Sequence, residues 1–572
     1  MSKRLECYAS RTLLPYCAIQ AVRSLHICDT TFGVQGIPEN PSARWWVPSI
    51  LFFLAALYCA PIGLMGVDLF DEGIRLHGAE RVLNGEIPYR DFYALYGPAQ
   101  FYWPALLFKV FGFQVVLLRV SAILFTALLV MVVFLLCRQS GVSVSGSLLA
   151  SVVALLPRNR SAVDLTYLDP AIALILLAGV ILATHPSRNK RVAVGVLLGT
   201  ATLFRHDFGI YGIIAVTFSS FFEVSTIAGR FRQRCQRAAT GLAWIFLGIG
   251  STAGVVYGTL SVLDFPALWN NLLTFPVAAT YYRMLPFPFA AMRAELSGIH
   301  WVLSPYEIQA ALTTLLRCFV YIFPFVTAGV VLWRFPSMLR LRSWKPPQTS
   351  FTTAFLASFI PGLALYGLGR SDWPHLLPLF SASLPFVVVI LRSSRSFSGD
   401  RRSTGNLKKV LLAITSLAAL WIFVARVNDY VTARPLHLER ARGIVLTPVE
   451  SDWFIPAVVD LEKESGPIFV ASDRHDRISI NAVSIYFLSG RPSGTYFSQL
   501  DPGVATTLAA QQRIVADLQR NNVSTVLVWG YSLDEPNLSS KSSGVLFLDS
   551  YLQEAYYDAI RGQDYRILKR RP

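Results

Sequence analysis

The chain carries near its start the stretch VPSILFFLAALYCAPIGLMGVDLFDEG, which covers residues 47–73. Its first twenty residues contain no Asp, Glu, Lys or Arg. An α-helix needs about 20 apolar residues to cross the hydrocarbon core of a bilayer. The stretch therefore predicts a membrane-spanning helix, followed at the membrane surface by the carboxylates of Asp68, Asp71 and Glu72.

Further apolar runs along the chain predict more helices of the same kind. They cover residues 114–137, 146–157, 171–185, 191–204, 209–227, 241–262, 308–333, 351–368, 377–391 and 409–425. Only 15% of all residues are charged, against about 25% in soluble proteins, as expected where charges at the bilayer centre are costly. We expect an α-helical polytopic membrane protein with about eleven transmembrane helices.

Basic residues mark alternate loops of this predicted bundle. The basic loops are 138–145, 186–190, 228–240, 334–350 and 392–408, and Asp400 is their one acidic residue. Lys and Arg collect in cytoplasmic loops, so these five loops are assigned to the cytoplasm. The net charge of +16 therefore reflects topology, and it does not indicate nucleic-acid binding. We expect an integral protein of the plasma or inner membrane with a cytoplasmic N-terminus.

The two ends of the chain differ in character from the apolar region between them. Residues 1–45 predict a cytoplasmic tail, residues 46–425 the transmembrane domain, and residues 426–572 an extracytoplasmic domain. In that last domain, 468–471 and 523–528 read as short buried strands and 506–519 as an amphipathic helix, which indicates a small α/β fold. All seven cysteines precede residue 319, so this domain folds without disulfides.

The loop after the first helix, residues 67–113, contains the most polar chemistry. Residues 74–83 have helical spacing, and 98–112 predicts an amphipathic helix at the membrane surface. A carboxylate placed here can act as a general base or hold a divalent cation against a phosphate. In a plainer interpretation, Asp71 is only the N-cap of the helix that follows it.

An apolar helix, then Asp71-Glu72, then a helix ending in Asn84-Gly85 and an aromatic loop resembles the GT-C glycosyltransferases. Within that superfamily the chain is similar to the protein O-mannosyltransferase and aminoarabinose-transferase branch and to the RgtA/B/C/D-like bacterial transferases. The resemblance covers most of residues 47–425 and is strongest in the first loop. It implies a polyprenyl-phosphate-linked sugar as donor and a catalytic carboxylate in that loop.

The same resemblance implies roles for the acidic residues of the loop. Asp71 would be the general base that takes the proton from the acceptor hydroxyl, and the sugar would be transferred with inversion. Glu72 is the second choice or a partner of Asp71, and Asp68 could join both as ligand of a divalent cation, which is left open. Arg90 and Asp91 are possible supporting residues in the same loop.

A leaving lipid phosphate requires positive charge on the same side of the membrane. Three segments could supply it: 205–209 with Arg205 and Asp207, 369–375 with Arg370 and His375, and 281–283 with Arg283 in a long loop over 263–306. An Arg at a helix end usually reaches toward lipid headgroups. Each of the first two segments combines Arg, His and Asp in a short turn. Their predicted outer location argues against that plainer interpretation, because Arg is not favoured there.

The function that follows is transfer of a sugar from a polyprenyl-phosphate donor to a hydroxyl of a glycolipid, polysaccharide or protein. The main alternative is a lipid or polysaccharide transporter or flippase, which would place charges deep within helices and show internal repeats. A membrane scaffold would leave the acidic loop without a purpose, and a polysaccharide polymerase or ligase would share the chemistry. The cluster at 472–477 does not form a recognisable hydrolase motif.

Overall fold

The computed structural model describes residues 46–184, 187–225, 231–287, 289–298, 305–339, 347–394, 401–447, 452–478, 480–530 and 535–572. The predicted cytoplasmic tail, residues 1–45, lies outside the described residues, as do parts of the basic loops 228–240, 334–350 and 392–408.

The helices follow the apolar pattern of the sequence. They are α1 Trp46–Gly63, α2 Asp71–Leu83, α3 Ala99–Phe111, α4 Val115–Gln139, α5 Val144–Leu155, α6 Asp169–Leu182, α7 Arg188–Phe204, α8 His206–Ser225, α9 Phe231–Ile249, α10 Val255–Trp269, α11 Phe275–Arg283, α12 Phe289–Ser297, α13 Pro305–Leu339, α14 Pro347–Gly369, α15 Trp373–Ser394 and α16 Arg401–Thr432. Within the described residues, each of the eleven predicted segments overlaps a helix. In the described part of the chain, eight helical segments are long and apolar enough to cross a membrane.

The remaining predicted spans are α5, α7 and α8, which are 12, 17 and 20 residues long. The prediction of a long loop over 263–306 was wrong, because helix continues to Arg283. Single π-helical turns at Gly250–Gly254 and Asn270–Thr274 join α9, α10 and α11. Asp264 interrupts the helical backbone of α10, and its Oδ1 accepts from the Ala267 N–H at 3.0 Å, so it caps the part of α10 that follows.

The C-terminal part is an α/β structure, as predicted. Its helices are α17 Phe454–Glu462, α18 Ser484–Ser489, α19 Leu508–Arg520 and α20 Phe547–Ala555, and its strands are β1 Arg434–Pro435, β2 Val445–Leu446, β3 Ile468–Ser472, β4 Thr525–Trp529, β5 Tyr556–Arg561 and β6 Tyr565–Arg570. The main sheet has the order β3-β4-β6-β5, with β3 and β4 parallel and the other pairs antiparallel. A parallel pair requires a crossover, which α18 and α19 supply.

The α/β part packs directly on the loop between α1 and α4. One hydrophobic core contains Ile74 and Phe101 of that loop together with Val483 and Ile468 of the α/β part. The Ser484 backbone N–H donates to the Leu69 carbonyl at 2.9 Å, and its hydroxyl donates to the Asp68 carbonyl at 2.8 Å. The C-terminal part therefore helps to hold the segment that carries the acidic motif.

Candidate active site around Asp71

The acidic motif begins with a helix cap. Asp68 Oδ1 accepts from the backbone N–H groups of Phe70 and Asp71, both at 3.0 Å, and Asp68 Oδ2 accepts from Glu72 N–H at 3.3 Å. These are the N–H groups that a helix start leaves without partners. The plainer interpretation of Asp71 as the N-cap is therefore wrong, because Asp68 caps the helix. The Asp71 carboxylate is not used for capping.

Glu72 is tied into the helix bundle. Its two carboxylate oxygens accept from Arg119 of α4 at 2.8 Å each, and both side chains are buried. Arg119 also donates to the carbonyl oxygens of Gly63 and Gly66. The buried guanidinium of Arg119 thus joins the end of α1, the start of α2 and the first turns of α4. Because both of its oxygens bind this guanidinium, the Glu72 carboxylate has a structural role.

Asp71 is the member of the motif with an uncommitted oxygen. Tyr96 donates its hydroxyl to Asp71 Oδ1 at 2.9 Å. Among the described residues, no other hydrogen bond reaches the carboxylate, so Oδ2 remains available. Asp71 is half-buried, and a small cavity of about 40 Å³ opens beside it, also lined by Arg75, Tyr167 and His375.

Two glycines allow the close packing that places these side chains. A Cβ on Gly73 would lie 2.2 Å from the backbone nitrogen of Ser484, so only glycine lets α2 dock on the α/β part. A Cβ on Gly97 would lie 2.2 Å from the carbonyl oxygen of Leu203 at the end of α7. This contact brings Tyr96 next to the turn that carries Arg205.

Arg205 lies in a cage of aromatic rings beside Asp71. Its guanidinium carbon is 5.9 Å from the ring centres of Tyr96 and Tyr167 and 5.0 Å from that of Tyr366, within the range of a cation–π contact. Asp207 accepts from Arg205 Nε at 2.8 Å and from Nη2 at 3.1 Å. In the part of the chain that the structure describes, no hydrogen bond engages Arg205 Nη1, so this donor group is available for a ligand.

Charged side chains influence the Tyr96 hydroxyl, which donates to Asp71. Burial and then the charge of Asp71 raise the pKa of Tyr96 well above its ordinary value, whereas Arg283 and Arg205 act in the opposite direction. Asp71 accepts the hydrogen bond of this hydroxyl, and the guanidinium carbon of Arg205 lies 5.9 Å from the Tyr96 ring centre. Tyr96 therefore remains a protonated donor to Asp71.

Arg283 and Arg370 reach the site from α11 and from the turn before α15. Arg370 donates to the Arg283 carbonyl at 3.0 Å and to Asp372 at 2.9 Å. Burial lowers the pKa of Arg370, but the carboxylates of Asp372, Glu535 and then Asp71 raise it above its ordinary value. The charge of Asp71 therefore acts on this guanidinium as well.

The α/β part supplies a carboxylate to each of these two arginines. Arg283 Nη1 lies 2.8 Å from Asp501 Oδ1, and Arg370 Nη1 lies 3.4 Å from Glu535 Oε2. Asp501 is fully buried and also accepts from the hydroxyl of Tyr93. The C-terminal part is consequently a wall of the site and takes part in its charge balance.

His375 is held between two neighbours. Its Nδ1 lies 2.6 Å from Asp372 Oδ1, and its Nε2 shares a hydrogen bond of 3.2 Å with the Tyr167 hydroxyl. The ring is buried. Its geometry suits orientation of Tyr167, which packs on Tyr96 with ring centres 5.0 Å apart.

The carboxylates do not form a cation site as they are arranged. Asp68 is occupied by backbone N–H groups and Glu72 by Arg119, which leaves Asp71 alone as a free oxygen ligand. A divalent cation prefers several oxygen ligands at once. No cluster of three His, Cys, Asp or Glu suited to a metal occurs in the described part of the chain.

The structure brings together half of the predicted site residues. We call the group that it brings together the Asp71 cluster, and its members are Asp71, Tyr96, Tyr167, Arg205, Arg283, Arg370 and His375. Arg90 and Asp91 instead pair with each other at 2.7 Å on the loop surface, and no recorded contact joins them to the cluster within the described residues. The sequence predictions missed Tyr96, Tyr167, Arg119, Asp501 and Glu535 as site residues.

Asp68 adds a pH dependence to the site. Burial, with the charges of Asp71 and Glu72, raises the pKa of Asp68 to about 7, from about 3.9 in an unfolded chain. The folded state then binds more protons between these values, so stability falls as the pH rises from about 4 to about 7. Asp68→Asn lacks the titrating group. We expect its melting temperature relative to the wild type to rise by about 2 °C or more over that interval, and a constant difference from pH 4 to pH 7 would contradict the raised pKa.

Comparison with known proteins shows that the fold of this chain is similar to that of solved membrane proteins. The sequence matches no protein-family model and no curated protein. The structure of ArnT from Cupriavidus metallidurans bound to undecaprenyl phosphate is 12% identical, with a TM-score of 0.51, and the match covers 91% of this chain and 97% of that one. Its apo form is 13% identical with the same TM-score, covering 92% and 98%. ArnT is an aminoarabinose transferase with the GT-C fold.

This chain has the GT-C fold. The oligosaccharyltransferase of Archaeoglobus fulgidus, in complex with zinc and sulfate, is more distant, with 11% identity and a TM-score of 0.42 over 84% of this chain and 68% of that one. With its apolar helices and the GT-C fold, the chain is an integral membrane protein. The match to ArnT includes the C-terminal α/β part, since it spans nearly the full length of both chains.

Proposed function

We propose that the chain is an inverting glycosyltransferase that uses a polyprenyl-phosphate-linked sugar at the outer face of the membrane. The observation that carries the proposal is the placement of Asp71. Its carboxylate has one oxygen oriented by Tyr96 and one without a partner among the described residues. Its charge acts on Arg283 and Arg370, and the guanidinium carbon of Arg205 lies 5.9 Å from the Tyr96 ring centre. A base beside a cationic cluster is what transfer from a lipid phosphate requires.

In the proposed reaction, the acceptor hydroxyl gives its proton to Asp71 Oδ2 as its oxygen attacks the anomeric carbon of the donor sugar. The bond between the anomeric carbon and the phosphate oxygen breaks, and polyprenyl phosphate leaves with the bonding electrons. Attack from the side opposite to the leaving phosphate inverts the sugar. The proposal uses no cation, because Asp68 and Glu72 are already engaged.

The donor phosphate is assigned to Arg205, Arg283 and Arg370. Each is paired with at least one carboxylate in the structure and still has N–H groups available. A cavity of about 40 Å³ is too small for a sugar, so donor binding must widen the site. The pair of Arg370 with Glu535, at 3.4 Å, is the longest of these contacts and is the one we expect the phosphate to replace. ArnT was solved with bound undecaprenyl phosphate, and we propose a phosphate of this lipid class as the ligand of the three arginines in this chain.

The acceptor is proposed to be a hydroxyl of a glycolipid, a polysaccharide or a protein. The α/β part borders the Asp71 cluster through Asp501 and Glu535. An acceptor that approaches Asp71 from outside the bilayer would therefore pass this part of the chain.

Arg370→Gln tests the donor side of the proposal. A charge-assisted contact to phosphate contributes about 1.5–3 kcal/mol, so we expect the KM for a polyprenyl-phosphate sugar to rise at least about tenfold. Arg90→Gln removes the same charge from the surface pair of the first loop and serves as the control. The measurement is initial transfer rate against donor concentration in detergent micelles. An equal change of KM in both variants would contradict the assignment of Arg370.

A further inference from the structure

A second charged cavity lies at the other end of α7 from the Asp71 cluster. Arg205 follows the last residue of α7, whereas Arg188 is its first residue. The helix has 17 residues, which is about 25 Å at a rise of about 1.5 Å per residue. The two sites therefore face opposite sides of the membrane, and this cavity plays no part in the proposed sugar transfer.

The cavity is formed by a close crossing of α7 and α9. A Cβ on Gly195 would lie 2.0 Å from the Ile245 carbonyl oxygen, and one on Gly248 would lie 2.2 Å from the Val192 carbonyl oxygen. Small residues at a crossing let two membrane helices touch through their backbones. The residues that line the cavity precede this crossing on both helices, and we call the cavity the α7–α9 cleft.

The lining of the α7–α9 cleft is basic and polar. Its volume is about 510 Å³, and the residues that matter here are Arg188, Arg191, Gln233, Gln236, Arg237 and Trp244. Arg188 stacks on the Trp244 ring with its guanidinium carbon 3.6 Å from the ring centre. Arg191 passes over Gly241, where a Cβ would lie 2.6 Å from its Nη1. Two arginines are thus held in place by their surroundings.

We propose that the α7–α9 cleft binds a phosphate-bearing anion, with the headgroup of an anionic membrane lipid as its source. Arg188 lines the cleft while its guanidinium stacks on Trp244, and the exposed side chains of Arg237, Gln233 and Gln236 supply further donors. Guanidinium groups recognise phosphate through paired N–H donors. A volume of about 510 Å³ suits a headgroup, and basic pockets between membrane helices bind such lipids.

The plainer explanation is that these arginines only fix the topology of the chain. Topology depends on how many basic residues a loop carries and not on where they point. Lys190 and Arg232 lie on the same two helices outside the lining of the cleft, so they offer a matched control. The cleft variant is Arg188→Gln/Arg237→Gln, and the control variant is Lys190→Gln/Arg232→Gln. Each double variant removes one positive charge from α7 and one from α9.

The test is a titration of purified protein in detergent with dioleoylphosphatidylglycerol, dioleoylphosphatidylcholine or inorganic phosphate, followed by melting temperature. A ligand of the folded state raises that temperature in a saturable way. We expect phosphatidylglycerol to do so, with an apparent Kd weakened about tenfold or more in the cleft variant and within about twofold of wild type in the control. Phosphatidylcholine should have little effect.

Inorganic phosphate identifies the source of the anion. If phosphate alone stabilises the wild type and loses this effect in the cleft variant, the cleft binds the anion from solution and the lipid source is wrong. If the cleft and control variants respond equally to every ligand, the whole proposal is wrong. Gln236→Glu, which adds negative charge at the exposed rim, replaces the double variant should that variant fold poorly, and unchanged phosphatidylglycerol binding by it would overturn the proposal too.

Discussion

Asp71→Asn is expected to lower the kcat of sugar transfer by about 10²-fold or more, because Asn cannot accept the proton of the acceptor hydroxyl. Asn still offers an oxygen to the Tyr96 hydroxyl, which now donates to Asp71 Oδ1 at 2.9 Å. The amide is also nearly the same size as the carboxylate. We therefore expect the protein level, the melting temperature and the KM for the donor to stay close to wild type, so that the loss appears in kcat.

The matched control is Asp91→Asn, the same substitution in the same loop. Asp91 pairs with Arg90 on the loop surface and should leave kcat within about threefold of wild type. Initial rates with a labelled polyprenyl-phosphate sugar measure both variants. Full activity in Asp71→Asn would remove Asp71 as the base, and Glu72 would then have to leave Arg119 to serve in its place.

Arg119→Met is expected to destabilise the protein by about 3–5 kcal/mol, the usual effect of leaving one member of a buried ion pair without its partner. The Arg119 and Glu72 side chains are 3% and 6% exposed, and the pair is bidentate. The substitution also removes the donors to the carbonyl oxygens of Gly63 and Gly66. We expect a lower yield of folded protein and a sharply lower melting temperature in detergent.

The double variant Glu72→Met/Arg119→Met distinguishes the loss of the whole ion pair from the effect of leaving Glu72 buried without its partner. Replacing both members of a buried pair by apolar side chains of similar volume is often nearly neutral, so much of the lost melting temperature should return. Residual transfer activity in the folded double variant would show that Glu72 is a structural residue. If the double variant is no more stable than Arg119→Met, the pair does not account for the loss.

The sequence predicted the helices well because the bilayer imposes one simple requirement on each of them. A run such as 114–137 must be predominantly apolar, and α4 covers Val115–Gln139. The error over 263–306 has a physical reason too. Asp264 and Pro266 look like the start of a loop, yet they cap and begin a further helical segment.

The candidate site was predicted in part. Arg205, Arg283, Arg370 and His375 were grouped because their loops fall on the same predicted side of the membrane. The position of Asp71 rested on a resemblance that the fold now supports. The sequence does carry a signal for Arg119, since a single Arg in the first turns of an apolar helix indicates a buried partner.

Other members of the site had no signal in the sequence. Asp501 and Glu535 reach Arg283 and Arg370 through the docking of the α/β part on the first loop, and a contact over such sequence distances leaves no local pattern. Asp68 looked like one carboxylate among three. Its role as the helix cap depends on backbone geometry that spacing alone does not distinguish.

The most direct test of the proposed function is whether the purified protein releases polyprenyl phosphate from a lipid-linked sugar. A set of labelled undecaprenyl-phosphate sugars would be incubated with the protein and a hydroxyl acceptor fraction from membranes, and both products would be measured. We predict release of undecaprenyl phosphate in equal amount with a transferred sugar of inverted configuration, and loss of both in Asp71→Asn. If the folded wild type releases no polyprenyl phosphate from any donor but moves lipid or polysaccharide across vesicle membranes, the chain is a transporter and the Asp71 cluster is not a transferase site.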